Sequence, residues 1–346
     1  GHSGHVEDAG LDTIYEACVD DAMPYPVVTS CAVFQERLPE ECPFASFEFT
    51  PLYSGFPMRH MAGDEDCGLK FGGVLVESFA CCSEAPEEMP TCGADRKAHV
   101  ELDVKWVPPL AQAAGISSQF LAMMVNSHNS MMWDAMGCPE LELWNGTDHG
   151  TRRTEMTDGG GSDNLAIYPA LRRGVRKLIV CSALAVPIGD TWAADEFDIS
   201  GYFGAYPEGE SFEYSKLPVS SATWNKSAQV FERHKWDELF GQLRQLQAEG
   251  KPQVVRLRLK VLANERQGVQ GGYEVDSVWI FNTKPAQWWE QLPRKTQAYI
   301  DKKLEGFPLI GTMIVDYDPE TVSLLSNVCA YQVLQAQHEL ESLLRS

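Results

Sequence analysis

The sequence predicts an α/β protein built around a central, mainly parallel sheet. An Asp-Gly-Gly-Gly turn at residues 158–161 leads through a short helix or turn at residues 166–174 into an apolar strand at residues 178–184. A β-branched run at residues 27–34 predicts a second buried strand. A loop, a helix and a buried strand in this order are typical of parallel sheets, in which ligands bind outside the carboxyl ends of the strands.

The N-terminal half of the chain contains both helical and extended patterns. Residues 11–18 have apolar side chains at helical spacing, and residues 47–49 alternate as a strand does. The Gly-, Met- and Asp-rich stretch at residues 52–73 predicts a long irregular loop, and residues 83–96 predict an exposed, acidic excursion.

A methionine-rich helix is predicted at residues 119–136. Methionine is flexible and polarisable, so such a helix serves either as ordinary core packing or as an adaptable apolar wall for an acyl chain. Both interpretations are open at this point.

The C-terminal half has the clearest periodicity. Residues 236–248 form an amphipathic helical pattern, and residues 254–262 alternate apolar with basic side chains. The latter predict a hairpin with residues 273–281, and residues 320–344 predict one long terminal helix. Because no repeat or linker divides the chain, we expect a single domain over residues 1–346.

Charge limits the classes of partner. The formal net charge of −21 argues against a nucleic-acid-binding protein, which would need clustered Lys and Arg to neutralise phosphates. It also argues against electrostatic attraction to anionic membranes, so peripheral membrane contact would use apolar side chains. The longest apolar runs are too short to span a bilayer. We therefore expect a soluble protein of undetermined compartment, with the cytoplasm favoured.

The ten cysteines do not have the spacing of a metal site, because the sequence contains no CxxC pair. No EF-hand loop is visible either, so we predict neither a metal ion nor a cofactor. Cys181 lies in an apolar run and is predicted to be a buried thiol. A disulfide-permissive region is predicted around four other cysteines, which are Cys67, Cys81, Cys82 and Cys92.

Asp158 is the candidate catalytic residue, with Gly159 and Gly160 as candidate substrate-binding residues. Glycines can adopt positive φ and let a ligand approach the backbone, so this turn would hold the carboxylate exposed, where a catalytic base is needed. The alternative is a simple connecting turn, since Asp and Gly favour turns in any protein.

Three motifs in order resemble the catalytic domain of cytosolic phospholipase A2 and fungal phospholipase B (lysophospholipase). The first is Phe-Glu-Phe-Thr-Pro at residues 47–51, followed by Cys-Gly-Leu-Lys-Phe-Gly-Gly at residues 67–73. The second is Asp-Gly-Gly at residues 158–160 with Asn164-Leu165 and Pro169, which is similar to the segment that carries the catalytic aspartate there and in patatins. The third is the closing stretch at residues 307–320.

The resemblance implies a three-layer, patatin-like α/β fold and a Ser–Asp dyad that hydrolyses esters of glycerophospholipids or lysophospholipids. In such a dyad a serine on a strand-to-helix elbow attacks the ester, and Asp158 takes its proton. The family's oxyanion glycines and elbow serine lie upstream of the strand that matches residues 27–34. We therefore expect the chain to correspond to the C-terminal portion of that domain.

Ser3, in Gly-His-Ser-Gly at residues 1–4, matches the elbow consensus without a preceding strand. The nucleophile is expected on Ser3, on a missing N-terminal segment or on a partner subunit. Two other functions stay open. One is a catalytically incomplete module that serves as a structural subunit of a larger complex, and the other is a lipid-binding protein without chemistry.

Overall fold

The computed structural model of the 346-residue chain describes residues 25–33, 44–62, 69–78, 80–82, 108–119, 139–143, 152–183, 188, 196–205, 228–309 and 317–345. The chain divides into two compact units, one of Gly1–Ala166 with Glu213–Ala222 and one of Ile167–Phe212 with Thr223–Ser346. Compactness does not establish that a unit folds independently. The single domain over residues 1–346 therefore stays a prediction.

A curled antiparallel sheet is the frame of the first unit. Its strands are β1 (Val28–Val33), β2 (Phe44–Phe49), β3 (Tyr53–Ala62), β4 (Leu69–Glu77), β5 (Glu140–Leu143) and β6 (Arg152–Asp158). They lie in the order β4-β3-β2-β1-β6-β5, and every neighbouring pair is antiparallel. The described helices of this unit are α1 (Leu110–Ser117) and the single turn α2 (Gly160–Asp163).

One face of this sheet carries the core of the first unit. Ala32 of β1 lies opposite both Ala45 of β2 and Met156 of β6, so all three side chains project from the same face. Ala113 and Ile116 of α1 pack in the same cluster. The opposite face of β2 is covered as well, because Ser46 and Glu48 are also buried.

The second unit contains a small mixed sheet and most of the described helices. Its strands are β7 (Lys177–Ser182), β8 (Val254–Val261) and β9 (Tyr273–Phe281). Its helices are α3 (Ile167–Arg172), α4 (Glu196–Gly201), α5 (His234–Ala248), α6 (Ala286–Gln291), α7 (Arg294–Lys303), α8 (Pro319–Gln335) and α9 (Gln337–Arg345). The strand order is β7-β9-β8, with β7 parallel and β8 antiparallel to β9.

The alternation predicted at residues 254–262 and the predicted hairpin are confirmed. Val255, Leu257, Leu259 and Val261 are buried on one face of β8, and their basic neighbours lie on the other face. The helix predicted at residues 236–248 is also confirmed as α5, which buries its apolar face. Both segments form as predicted because their periodicity matches a half-buried element.

The predicted fold class is wrong. The larger sheet is wholly antiparallel, and β7 with β9 is the one parallel pair among the described strands, so there is no central, mainly parallel sheet with helices on both faces. A short apolar run predicts burial but not the direction of its partner, which the connections and neighbouring strands decide. The loop predicted at residues 52–73 is also wrong, because much of it forms β3 and β4. Strand formation there follows from pairing with neighbours rather than from residue propensity.

The strand predicted at residues 178–184 forms as β7, but it is not fully buried. Its side chains alternate between exposed and less exposed positions, and Ile179 is 45% exposed. Cys181 is exposed rather than buried, which corrects a second prediction. The reason is that β7 is an edge strand of the described sheet, with Cys181 on the same face as Ile179. Cys81 and Cys82, in the region predicted to permit disulfides, are free thiols.

The terminal helix predicted at residues 320–344 is two helices, α8 and α9, which separate at Ala336. Asp318 caps α8, because its carboxylate accepts a hydrogen bond of 2.7 Å from the backbone N–H of Thr321. The helix predicted at residues 11–18, the excursion at residues 83–96 and almost all of the methionine-rich helix at residues 119–136 lie outside the described residues. Within the described part of the chain, no helix has the length and apolarity needed to cross a membrane.

The burial pattern of β8 gives a stability prediction. Leu259→Ala should lower the free energy of unfolding by about 2–5 kcal/mol, because it leaves a cavity in a fully buried position. Lys260→Ala, on the exposed face of the same strand, should change it by less than about 0.5 kcal/mol. Urea unfolding followed by circular dichroism measures both variants, and equal effects would contradict the assigned faces of β8.

Candidate functional site

Asp158 is the last residue of β6 and lies directly opposite Ser30 of β1. Directly opposed residues of an antiparallel pair point to the same face, with Cβ atoms about 4.5–5.5 Å apart. Since Ala32 and Met156 lie two residues along each strand, this is the face that carries the core cluster. The carboxylate is therefore at the end of an apolar face rather than on a fully exposed turn.

A single helical turn follows the aspartate and holds its carboxylate. The backbone N–H of Gly160 donates a hydrogen bond of 2.7 Å to Asp158 Oδ1. The carbonyl oxygen of Gly159 accepts hydrogen bonds of 3.0 Å from the N–H groups of Ser162 and Asp163, which closes α2. The hydroxyl of Ser162 donates to the same oxygen at 3.2 Å. The turn therefore satisfies its own backbone while it orients one carboxylate oxygen.

Gly159 is required for close approach rather than for backbone conformation. Its φ of −63° lies in the ordinary helical region, so this residue does not use the positive φ that glycine allows. A Cβ at Gly159 would clash with the carbonyl oxygen of Thr29 and would lie 2.7 Å from the Thr29 hydroxyl. The Cys31 thiol also donates a weak hydrogen bond of 3.7 Å to the Gly159 carbonyl oxygen. The turn can rest against β1 only because residue 159 has no side chain.

The C-terminal end of α1 anchors the other side of the turn. The N–H of Gly159 donates to the carbonyl oxygen of Ser117 at 3.4 Å, and the hydroxyl of Thr157 donates to the carbonyl oxygen of Gln119 at 3.1 Å. The N–H groups of Gly159 and Gly160 are thus both used within the protein. Substrate binding by these two glycines stays a prediction that rests on their lack of side chains.

Burial raises the pKa of Asp158 above the ordinary value of an aspartate, and the hydrogen bond from Gly160 offsets only part of this effect. Among the described residues, Gly160 is the one donor to this carboxylate. A carboxylate with a raised pKa, of which one oxygen accepts no hydrogen bond from the described residues, can accept a proton from a reacting group. The arrangement therefore suits general-base chemistry.

Ser30 is a site residue that the sequence did not reveal. It is fully buried, and its hydroxyl has no hydrogen-bond partner among the described residues. In the sequence it is one small residue inside the β-branched run at residues 27–34, and no local signal pairs it with Asp158. Only the register of β1 with β6 places the two side chains on the same face.

Other predicted parts of the site are not brought together in the described residues. Ser3 lies outside them, and so do residues 120–136 of the predicted methionine-rich helix. The nucleophile and the apolar wall for an acyl chain therefore stay predictions. The described part of the chain contains no cluster of three or more His, Cys, Asp or Glu residues that could hold a metal ion.

No family model matches the chain, and no characterised protein matches it by sequence. The resemblance to the phospholipase family therefore rests on the quoted motifs alone.

The contact between Gly159 and Thr29 predicts opposite effects for two glycine substitutions. Gly159→Ala should lower the free energy of unfolding by about 1–3 kcal/mol, because the new Cβ overlaps backbone that cannot move away cheaply. Gly115→Ala in α1 meets no atom within 4 Å and should raise it by up to about 1 kcal/mol through helix propensity. Thermal or urea unfolding of both variants is the measurement, and a neutral Gly159→Ala would contradict the close approach.

The raised pKa of Asp158 predicts a pH-dependent stability. The folded state holds this proton more tightly than the unfolded state, so stability is lost as pH rises from the unfolded pKa through the folded one. Asp158→Asn removes this loss, so the free energy of unfolding of the variant relative to the native chain should increase over that pH range.

Asp276→Asn is the matched control with the opposite sign. The hydrogen bond from the Arg256 guanidinium lowers the pKa of Asp276, so this carboxylate stabilises the fold once it is ionised. The variant should become less stable relative to the native chain as pH rises through the acid range. Parallel pH profiles for the two variants would contradict the environment assigned to Asp158.

Proposed function

We propose that this protein hydrolyses carboxylic esters of glycerophospholipids or lysophospholipids, with Asp158 as general base. One observation supports this proposal above all: Asp158 is a partly buried carboxylate with a raised pKa, and Gly160 donates its one described hydrogen bond. A general base works best when its pKa is near the working pH, and burial shifts the pKa of Asp158 in that direction. The substrate class is inferred from the resemblance of the quoted motifs to those of phospholipases.

In the proposed reaction Asp158 accepts the proton of a serine hydroxyl while the serine oxygen bonds to the ester carbonyl carbon. The bond from that carbon to the leaving alcohol breaks, and the alcohol oxygen takes the proton from Asp158. Water then attacks the acyl-serine, again with Asp158 as proton acceptor. The bond from the acyl carbon to the serine oxygen breaks, Asp158 returns the proton to that oxygen, and the fatty acid leaves.

The nucleophilic serine is proposed to lie outside the described residues. Ser30 is fully buried, so an ester carbon cannot reach its hydroxyl. Ser162 is 3% exposed, and its hydroxyl already donates to the carbonyl oxygen of Gly159. The candidates are therefore Ser3, a serine in an upstream segment of the protein, or a serine of a partner subunit.

The site of action is proposed to be the surface of a lipid aggregate facing the cytoplasm. With a net charge of −21, attraction to anionic headgroups is unfavourable, so apolar side chains would make the contact. Zwitterionic lipids are accordingly the preferred substrates under this proposal.

The test is fatty-acid release from phosphatidylcholine and lysophosphatidylcholine by the protein purified from its source. Asp158→Asn should lower kcat by about 10²–10⁴-fold, which is the usual contribution of a general base. Asp301→Asn, which changes an exposed carboxylate on α7, should leave the rate unchanged. Full activity in Asp158→Asn would overturn the assignment of the base.

If the nucleophile lies on an upstream segment or a partner subunit, residues 1–346 expressed alone should release fatty acid at close to the uncatalysed rate. A fluorophosphonate that labels Ser3 in this polypeptide, with labelling lost in Asp158→Asn, would contradict this expectation and place the whole dyad in the chain. If no form of the protein releases fatty acid but the chain purifies in a stable complex, the structural-subunit function would replace the enzyme.

A further inference from the structure

Helix α8 has an exposed surface without a charged side chain. From Thr321 to Ala336 the chain contains no Asp, Glu, Lys, Arg or His, although 22% of all its residues are charged. Most of these positions are exposed, and they include Val322, Val333 and Leu334. A helix surface in contact with water normally carries several charges, so this surface is unusual for one that stays in water.

Four exposed positions of α8 lie in one row along the helix. They are Val322, Ser326, Cys329 and Val333, and we call them the α8 stripe. Their spacing of four, three and four residues keeps them on one side of a helix with 3.6 residues per turn. Val322 is 49% exposed and Val333 is 45% exposed. The stripe is therefore distinct from the side of α8 that packs against its own unit.

The apolar surface continues from α8 to the edge of the small sheet. Cys181 of β7 lies opposite Ile280 of β9, so both side chains project from the face on which Ala336 packs. Ile179 is exposed on the same face of β7. Burial raises the pKa of the Cys329 thiol, and the nearby Cys181 raises it further, so the two residues are neighbours. The stripe and the edge of β7 thus form one apolar surface.

The chemistry of this surface favours a contact between copies of the chain. Contiguous exposed apolar surfaces mark interaction sites, and membrane-binding helices combine Trp, Phe or Leu with a Lys- and Arg-rich face. The α8 stripe has none of these residues. Two chains of net charge −21 repel each other, so a contact between them requires a face that is itself uncharged. Helix α8 provides such a face.

The stripe also has the symmetry that a second copy needs. Its intervals of four, three and four residues read the same in both directions. A two-fold axis that pairs two antiparallel α8 helices therefore places Val322 against Val333, and Ser326 against Cys329, of the other copy. The small side chains at the centre let the helix axes approach closely, while the valines fill the two ends.

We propose that α8 forms the interface of a homodimer, in which two copies pack antiparallel through the α8 stripe. A contact between two helices of 17 residues is small for a protein interface. The dimer should accordingly be weak, with a dissociation constant of about 1–100 µM. The proposal does not depend on ester hydrolysis at Asp158.

Sedimentation velocity of the whole chain at about 1–200 µM tests the dimer. We expect a monomer–dimer equilibrium that shifts toward the dimer when the salt is raised from about 50 mM to about 500 mM, because screening weakens the repulsion between the acidic chains. Ser326→Arg should weaken the dimer by at least about tenfold, because it buries a guanidinium without a partner. Gln335→Arg adds the same charge at an exposed position of α8 outside the stripe and should leave the equilibrium unchanged.

Cysteine cross-linking locates the contact. Ser326→Cys, oxidised with glutathione disulfide, should give a disulfide-linked dimer through the native Cys329 of the other copy. Gln335→Cys is the control and should not give this dimer. Mass spectrometry of tryptic peptides identifies the linked residues. If circular dichroism shows that Ser326→Arg does not fold, the two cysteine variants decide the result.

Three outcomes would overturn the proposal. The first is a chain that stays monomeric at every concentration and salt. The second is an association that Ser326→Arg and Gln335→Arg weaken equally. The third is a monomer that binds phosphatidylcholine vesicles and loses this binding in Ser326→Arg, which would assign the α8 stripe to a lipid surface instead.

Discussion

The contact of the Gly159 turn with β1 is the constraint on which the candidate site depends. Any side chain at residue 159 would enter the space of Thr29, so the absence of a Cβ is what lets β6 end against its neighbour. The antiparallel register then sets Asp158 opposite Ser30. These two facts account for the burial of the carboxylate and for its raised pKa, while Gly160 is its one hydrogen-bond donor among the described residues. A looser turn would expose the carboxylate to water and return its pKa toward the ordinary value.

Both polar groups at the end of this face are incompletely satisfied by the protein. The Ser30 hydroxyl has no partner among the described residues, and Asp158 is partly desolvated with one donor. A folded protein normally pairs its buried polar groups, because each unpaired group lowers stability. Such groups persist most often where they serve binding or catalysis. This is why the aspartate is a stronger functional candidate in the structure than an Asp-Gly turn is in the sequence.

The second unit shows the same principle in a different setting. Its sheet and α5 bury regular apolar faces, and this rigid frame leaves the connecting residues to form a cavity. Gln253 lies immediately before β8 and donates to Gln247 of α5, so its side-chain oxygen, which has no hydrogen-bond partner among the described residues, is held by the elements on either side.

The sequence by itself determined the elements whose pattern is local. The alternation in β8, the apolar face of α5, the strand at Val28–Val33 and the position of Asp158 before a glycine-rich turn all follow from the spacing of side chains along the chain. Only the tertiary structure decided the rest. The antiparallel direction of the larger sheet, the pairing that makes strands of residues 53–62 and 69–77, the exposure of Cys181 at an edge and the approach of Ser30 to Asp158 all depend on which segments become neighbours. The physical reason is that local periodicity reports how one segment meets the core, whereas strand direction, register and edge position are properties of pairs of segments that are distant in sequence.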